Sequence, residues 1–158
     1  MRVTKKMLVK IVRVGGWAPL LVFVTHEIIA NVFNAYAWWP DIDVPMHFLG
    51  GLAIAFFFSG CFRALPRQDV PERRLAVLEL LLIGSLTATA AVFWEFTEFT
   101  MDQFLGTNVQ VSLANTMQDL ALGITGGIVF ITVRAMKLRA GTQALKELTL
   151  DWVRGGTV

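Results

Sequence analysis

The sequence predicts an all-α integral membrane protein: a bundle of four transmembrane helices with both termini in the cytoplasm. Three observations lead there. Of 158 residues, 55% are hydrophobic and only 16% are charged; the mean hydropathy is +0.59, and a soluble domain carries more charge than this. The apolar residues fall into four long stretches, each near the ~20 residues that cross a bilayer core. The basic residues fall outside those stretches: no Lys or Arg occurs in 14–62 or in 75–133.

The expected spans are 14–30, 45–62, 75–99 and 116–133, within a single transmembrane domain over residues 1–139. Lys5, Lys6, Lys10 and Arg13 precede the first. Arg63, Arg67, Arg73 and Arg74 separate the second from the third, and Arg134, Lys137 and Arg139 follow the fourth. Because positive charge stays on the cytoplasmic side, these clusters place both termini and the middle loop inside. The loops around Asp41 and Asn108 are then external. Trp38 and Trp39 suit the membrane interface, and Pro45 suits a first helical turn. Ala35-Tyr36-Ala37 mimics a signal cleavage site but lies beyond the apolar run, after His26 and Glu27, so a retained first helix is expected. Residues 140–158 form a cytoplasmic tail in which Leu145, Leu148 and Trp152 recur at helical spacing, as in an interfacial amphipathic helix. The lone Cys61 reads as apolar filler.

The third stretch ends unusually. Glu95, Glu98 and Asp102 are spaced by three and four, so a helix puts them on one face, continuing backward through Gly84, Ala88 and Ala91. Small residues let a neighbouring helix approach, whereas acids at membrane depth are costly and face a protein interior or an aqueous cavity. Fifteen uncharged residues, 80–94, precede Glu95. The alternating topology brings Asp43 and His47 of helix two, Glu95, Glu98 and Asp102 of helix three, Asp119 of helix four, and His26 and Glu27 of helix one to the outer face. No basic side chain accompanies them. Such a cluster is neutralised by protons or by a bound cation, and carboxylates with imidazole suit Zn, Mn or Fe. The expected divalent-metal ligands are Asp43, His47, Glu95, Glu98 and Asp119, with His47, Glu95 and Glu98 also the expected catalytic acid/base groups. Gly51 follows His47 by four and Gly123 follows Asp119 by four, which implies close packing about one site. The plainer readings are an N-cap role for Asp43, a helix-dipole role for Asp119 and a structural role for His26.

His26-Glu27-Ile28-Ile29-Ala30 lacks the second histidine of a zinc-protease helix. Asp41-Ile42-Asp43 lacks the strands of an aspartyl phosphatase, and no hydrolase triad is legible.

Asp43-Val44-Pro45-Met46-His47-Phe48 resembles the Asp-x-x-x-His-Phe signature of VanZ-like and YjdF-like bacterial inner-membrane proteins. Glu95-Phe96-Thr97-Glu98 is similar to the acidic helix end of the YjdF-like branch. Asn115-Thr116-Met117-Gln118-Asp119-Leu120, with Gly123, Gly126 and Gly127, looks like that family's last block. The chain departs at Val44, where the family usually has Lys or Arg, and at Asn115, where an acid is usual. The resemblance implies a multi-pass protein of the bacterial inner membrane and cell envelope, whose VanZ branch is linked to glycopeptide resistance.

Three functions fit these residues. One is a metal-assisted hydrolase or transferase acting on an envelope lipid or lipid-linked substrate. The second is a proton- or cation-coupled carrier, for which the small-residue stripes offer a homodimer interface. The third is a non-catalytic accessory subunit. The bilayer is the expected surrounding, and no nucleic-acid partner is expected.

Overall fold

The structure, a computed structural model, describes residues 5–65 and 72–155, with side chains left out at 7–8, 11, 72–73 and 144–155. Among the described residues there is helix and no strand. The chain opens with α1 (Lys5–Ile11), a π-helical turn at Val12–Gly16, α2 (Trp17–Glu27) and a second π turn at Ile28–Val32. Two 3₁₀ turns, Ala35–Ala37 and Pro40–Ile42, lead into α3 (Asp43–Ala64). Then follow α4 (Glu72–Leu105) and α5 (Leu113–Gly155). Among the described residues four helical stretches are long and apolar enough to cross a membrane: Val12–Val32, Pro40–Ala64, Arg74–Leu105 and Leu113–Gln143.

The helices overrun the expected stretches. The third continues to Leu105 because nothing before Gly106 breaks a helix; Gly106 turns the chain at φ +69°. The fourth continues without interruption to Gly155. The tail backbone is therefore helical and continuous with α5, while its expected apolar face at Leu145, Leu148 and Trp152 lies outside the described side chains. The middle-loop Arg67 also lies outside the described residues.

Helix α3 is the hub, packing on the first span, α4 and α5. It runs parallel to α5, with Gly51 facing Gly123, Phe48 facing Gly126 and the Phe56 ring edge-on to Phe130. It runs antiparallel to the first span, where Gly15 lies on the Phe57 backbone. The tightest crossing is α3 on α5. A Cβ at Gly51 would overlap the carbonyl of Gly123, and one at Gly126 would overlap the carbonyl of Phe48. Only glycine permits that approach, the device by which small residues hold membrane helices together where burial from water supplies little drive.

Helix α4 runs antiparallel to α5, placing Ala91 against Gly123, Thr87 against Gly127 and Gly84 near Ile131. The small-residue stripe of α4 thus packs on α5. At the far end of these helices Arg134 Nε donates to Glu79 Oε1 at 2.9 Å, and Ser59 Oγ donates to the same oxygen at 3.4 Å. The first span approaches α4 through aromatic side chains, the rings of Phe23 and His26 standing edge-on to Trp94 at 6.1 and 6.0 Å.

A candidate metal centre

The parallel register of α3 with α5, and the antiparallel run of α4, bring one turn of each helix together at the acidic end of the bundle. Asp43 occupies the first turn of α3, with Ile42 at the N-cap position and no side-chain cap there. His47 follows one turn on. Asp119 lies in the second turn of α5, one turn before the Gly123 that contacts Gly51. Glu95 comes from α4, one turn after Ala91.

The His47 ring sits at the middle of these acids. Its Nε2 is 3.3 Å from Asp43 Oδ1 and 3.9 Å from Asp119 Oδ1. Its Nδ1, on the other side of the ring, is 3.8 Å from Glu95 Oε1. Asp43, His47 and Asp119 each offer one ligand atom, and all of these lie within 4.8 Å of one another. Asp119 is 3% exposed, and its Oδ1 is buried with no hydrogen-bond partner. A buried carboxylate oxygen without a partner is costly, and native structures rarely keep one unless something else satisfies it.

The five residues expected as ligands therefore separate. Asp43, His47 and Asp119 converge. Glu95 stands beside them, on the opposite ring nitrogen, with its backbone carbonyl and carboxylate both accepting from Gln110 Nε2 at 3.1 and 3.4 Å. Glu98 is buried but committed elsewhere: its Oε1 accepts from Trp94 Nε1 at 2.7 Å. That i, i+4 pair was open to reading from the spacing, since Trp94 and Glu98 share a helix face.

The neighbouring polar residues are structural. Asp102 accepts from Thr107 Oγ1 and Val109 N through Oδ1, and from Gln110 N through Oδ2. It thereby folds the 106–112 loop back over α4 and delivers Gln110 to Glu95. His26 Nδ1 shares a hydrogen bond of 2.9 Å with the Tyr36 hydroxyl. Burial, with Asp43 and the other nearby acids adding to it, pushes the Tyr36 phenol above its ordinary range, so it remains a protonated hydrogen-bonding group. Glu79, which sequence reasoning did not single out, is buried in the Arg134 pair described above. Its position 55 residues from Arg134 gives no local signal.

A cavity of about 250 Å³ adjoins the cluster. His47, Gly51 and Gly123 line it beside the cluster, and it extends along α3 and α4 to Ile54 and Thr87.

Four membrane-length helices around a half-buried histidine–carboxylate cluster define an integral membrane protein of the all-α class. The chain belongs to the family described as predicted membrane protein (DUF2238), whose model matches residues 11–140 and so takes in every residue of the cluster. No curated protein and no solved structure matches the chain.

Proposed function

We propose that this protein holds one divalent cation between Asp43, His47 and Asp119 at the outer face of a bacterial inner membrane, and uses it in a hydrolysis or group transfer on an envelope lipid or lipid-linked substrate. The observation that carries this reading is the orphaned Asp119 Oδ1, buried and directed at His47 Nε2. A cation there would satisfy that oxygen and offset the charge of the acids, which among the described residues have no Lys or Arg paired with them. One imidazole with two carboxylates is a donor set suited to Mn, Fe or Zn. Such a cation polarises a phosphoryl or carbonyl oxygen or activates water.

The residues of this chain then take distinct parts. Asp43, His47 and Asp119 are the ligands, two from successive turns of α3 and one from α5, beside the α3–α5 crossing. Glu95 orients the His47 ring from the Nδ1 side, as carboxylates behind metal-bound histidines do. Glu98 anchors Trp94. The outer-face placement follows the distribution of Lys and Arg. The VanZ-like and YjdF-like resemblance of the Asp43–Phe48 and Glu95–Glu98 motifs supports an envelope location.

The test is the metal content of purified protein after stripping and reloading, beside Asp119→Asn and His47→Ala. The proposal expects one divalent ion per chain, lost in both variants. Absence of metal from the wild-type protein overturns it and brings proton coupling forward.

A further inference from the structure

The cavity beside the cluster is apolar along most of its length and lies at membrane depth. Its walls are Pro19, Val22 and Phe23 of the first span and Ile54, Ala90 and Trp94 from α3 and α4. The first span and α4 meet through the aromatic contacts of Phe23 and His26 with Trp94, at the acidic end. Below those rings the two helices flank the cavity.

Size decides what fits. From Thr87 to Trp94 the wall rises by seven residue steps, about 10 Å. Spread over that length, 250 Å³ open to the centre of a water-sized sphere gives a channel about 8 Å wide once the sphere's radius of about 1.4 Å is added. A helix with its side chains is about 10–12 Å wide, so neither another helix of this protein nor one from a second copy can lie there. A cavity of ~150 Å³ with such an apolar lining already holds benzene and stays free of water. The width comes from the small residues: a Cβ added to Gly50 meets nothing within 4 Å, in contrast to Gly51 next to it. The bilayer supplies one species of this width at this depth.

We infer that the cavity holds a single hydrocarbon chain of a membrane lipid, entering between the first span and α4, with the lipid's polar end presented to His47 and the carboxylates. The placing of the polar end rests on the proposed metal-centre reading; the seating of the chain does not. The substrate class is thereby a lipid that inserts one chain and leaves the rest of its apolar part in the bilayer.

The experiment places the full-length protein in nanodiscs of phosphatidylethanolamine and phosphatidylglycerol. These are doped with a phospholipid carrying a diazirine at an acyl-chain terminus. After illumination, adducts are mapped at Ile54 and Ala90 in the cavity, with outward-facing Leu81 and Phe93 as references. The expected result is labelling of Ile54 and Ala90 comparable to Leu81, reduced at least fivefold in Gly50→Leu and again in Val22→Phe, with Phe93 unchanged. Metal content is measured on the same samples. Unlabelled Ile54 and Ala90 beside labelled Phe93 overturns the inference. So does labelling that persists in both filled variants, or labelling by a water-soluble diazirine in place of the lipid probe. Chain labelling in protein that binds no metal supports the inference and refutes only the metal centre; metal without chain labelling does the reverse.

Discussion

Gly51→Ala should open the proposed metal centre without altering any of its proposed ligands. The added Cβ would lie 2.9 Å from Gly123 Cα and nearer still to its carbonyl, where ordinary contact begins at 3.4 Å. Both partners are backbone within long helices, so the clash is relieved only by moving α3 and α5 apart, by at least about 1 Å at the crossing. Overpacking of that kind costs about 1–3 kcal/mol. The crossing carries His47 on one helix and Asp119 on the other, one turn away, and their ligand atoms are 3.9 Å apart. Two donors bound at about 2.1 Å to one ion can stand at most about 4.2 Å apart. The present spacing satisfies that limit, and an opening of about 1 Å breaks it. Gly51→Ala should therefore weaken metal binding at least about tenfold, a loss of the size seen when ligand geometry is disturbed, and lower the unfolding midpoint in detergent. The adjacent Gly50→Ala supplies the control, since its Cβ enters open space and gains up to about 1 kcal/mol of helix propensity. Isothermal titration with manganese or zinc and thermal unfolding of both variants settle the matter. Wild-type affinity in Gly51→Ala would refute the claim that this glycine contact sets the geometry of the site.

Three other outcomes follow from the same geometry. Glu95→Gln should weaken metal binding about 10–100-fold, because it removes the charge behind the His47 ring. Glu98→Gln should leave affinity within about threefold, because the glutamine oxygen can still accept from Trp94; titration of the two variants side by side checks the contrast. Glu79→Ala leaves the half-buried Arg134 without its partner and should cost about 1–3 kcal/mol, while Glu79→Leu combined with Arg134→Met should recover most of that loss in thermal unfolding. Asp102→Ala removes acceptors from Thr107, Val109 and Gln110. It should increase hydrogen exchange in the 106–112 loop while leaving the α3–α5 crossing protected.

Much of the bundle was legible because its cause is local. Apolar runs long enough to cross a bilayer, cleared of Lys and Arg, are written directly in the chain. So were the glycines one turn from His47 and from Asp119, and these proved to touch. What escaped was set by tertiary partners. Asp43, His47 and Asp119 form one group because α3 and α5 run parallel at a glycine contact; Glu95 reaches only the other side of the His47 ring because α4 arrives from the opposite direction. Glu98 shares a helix face with Glu95 three residues before it, but Trp94, four residues before it, takes its carboxylate. The Glu79–Arg134 pair and the return of Gln110 to Glu95 depend on how distant segments meet. The π turns at Val12–Gly16 and Ile28–Val32 carry no composition that separates them from α-helix.

Whether Asp43, His47 and Asp119 together hold one ion is decided by X-ray absorption spectroscopy of the reloaded protein. Their geometry calls for a shell of nitrogen and oxygen donors at about 2.0–2.2 Å with one imidazole, and loss of the bound metal in Asp119→Asn. A shell with no imidazole, or with two, would contradict that assignment.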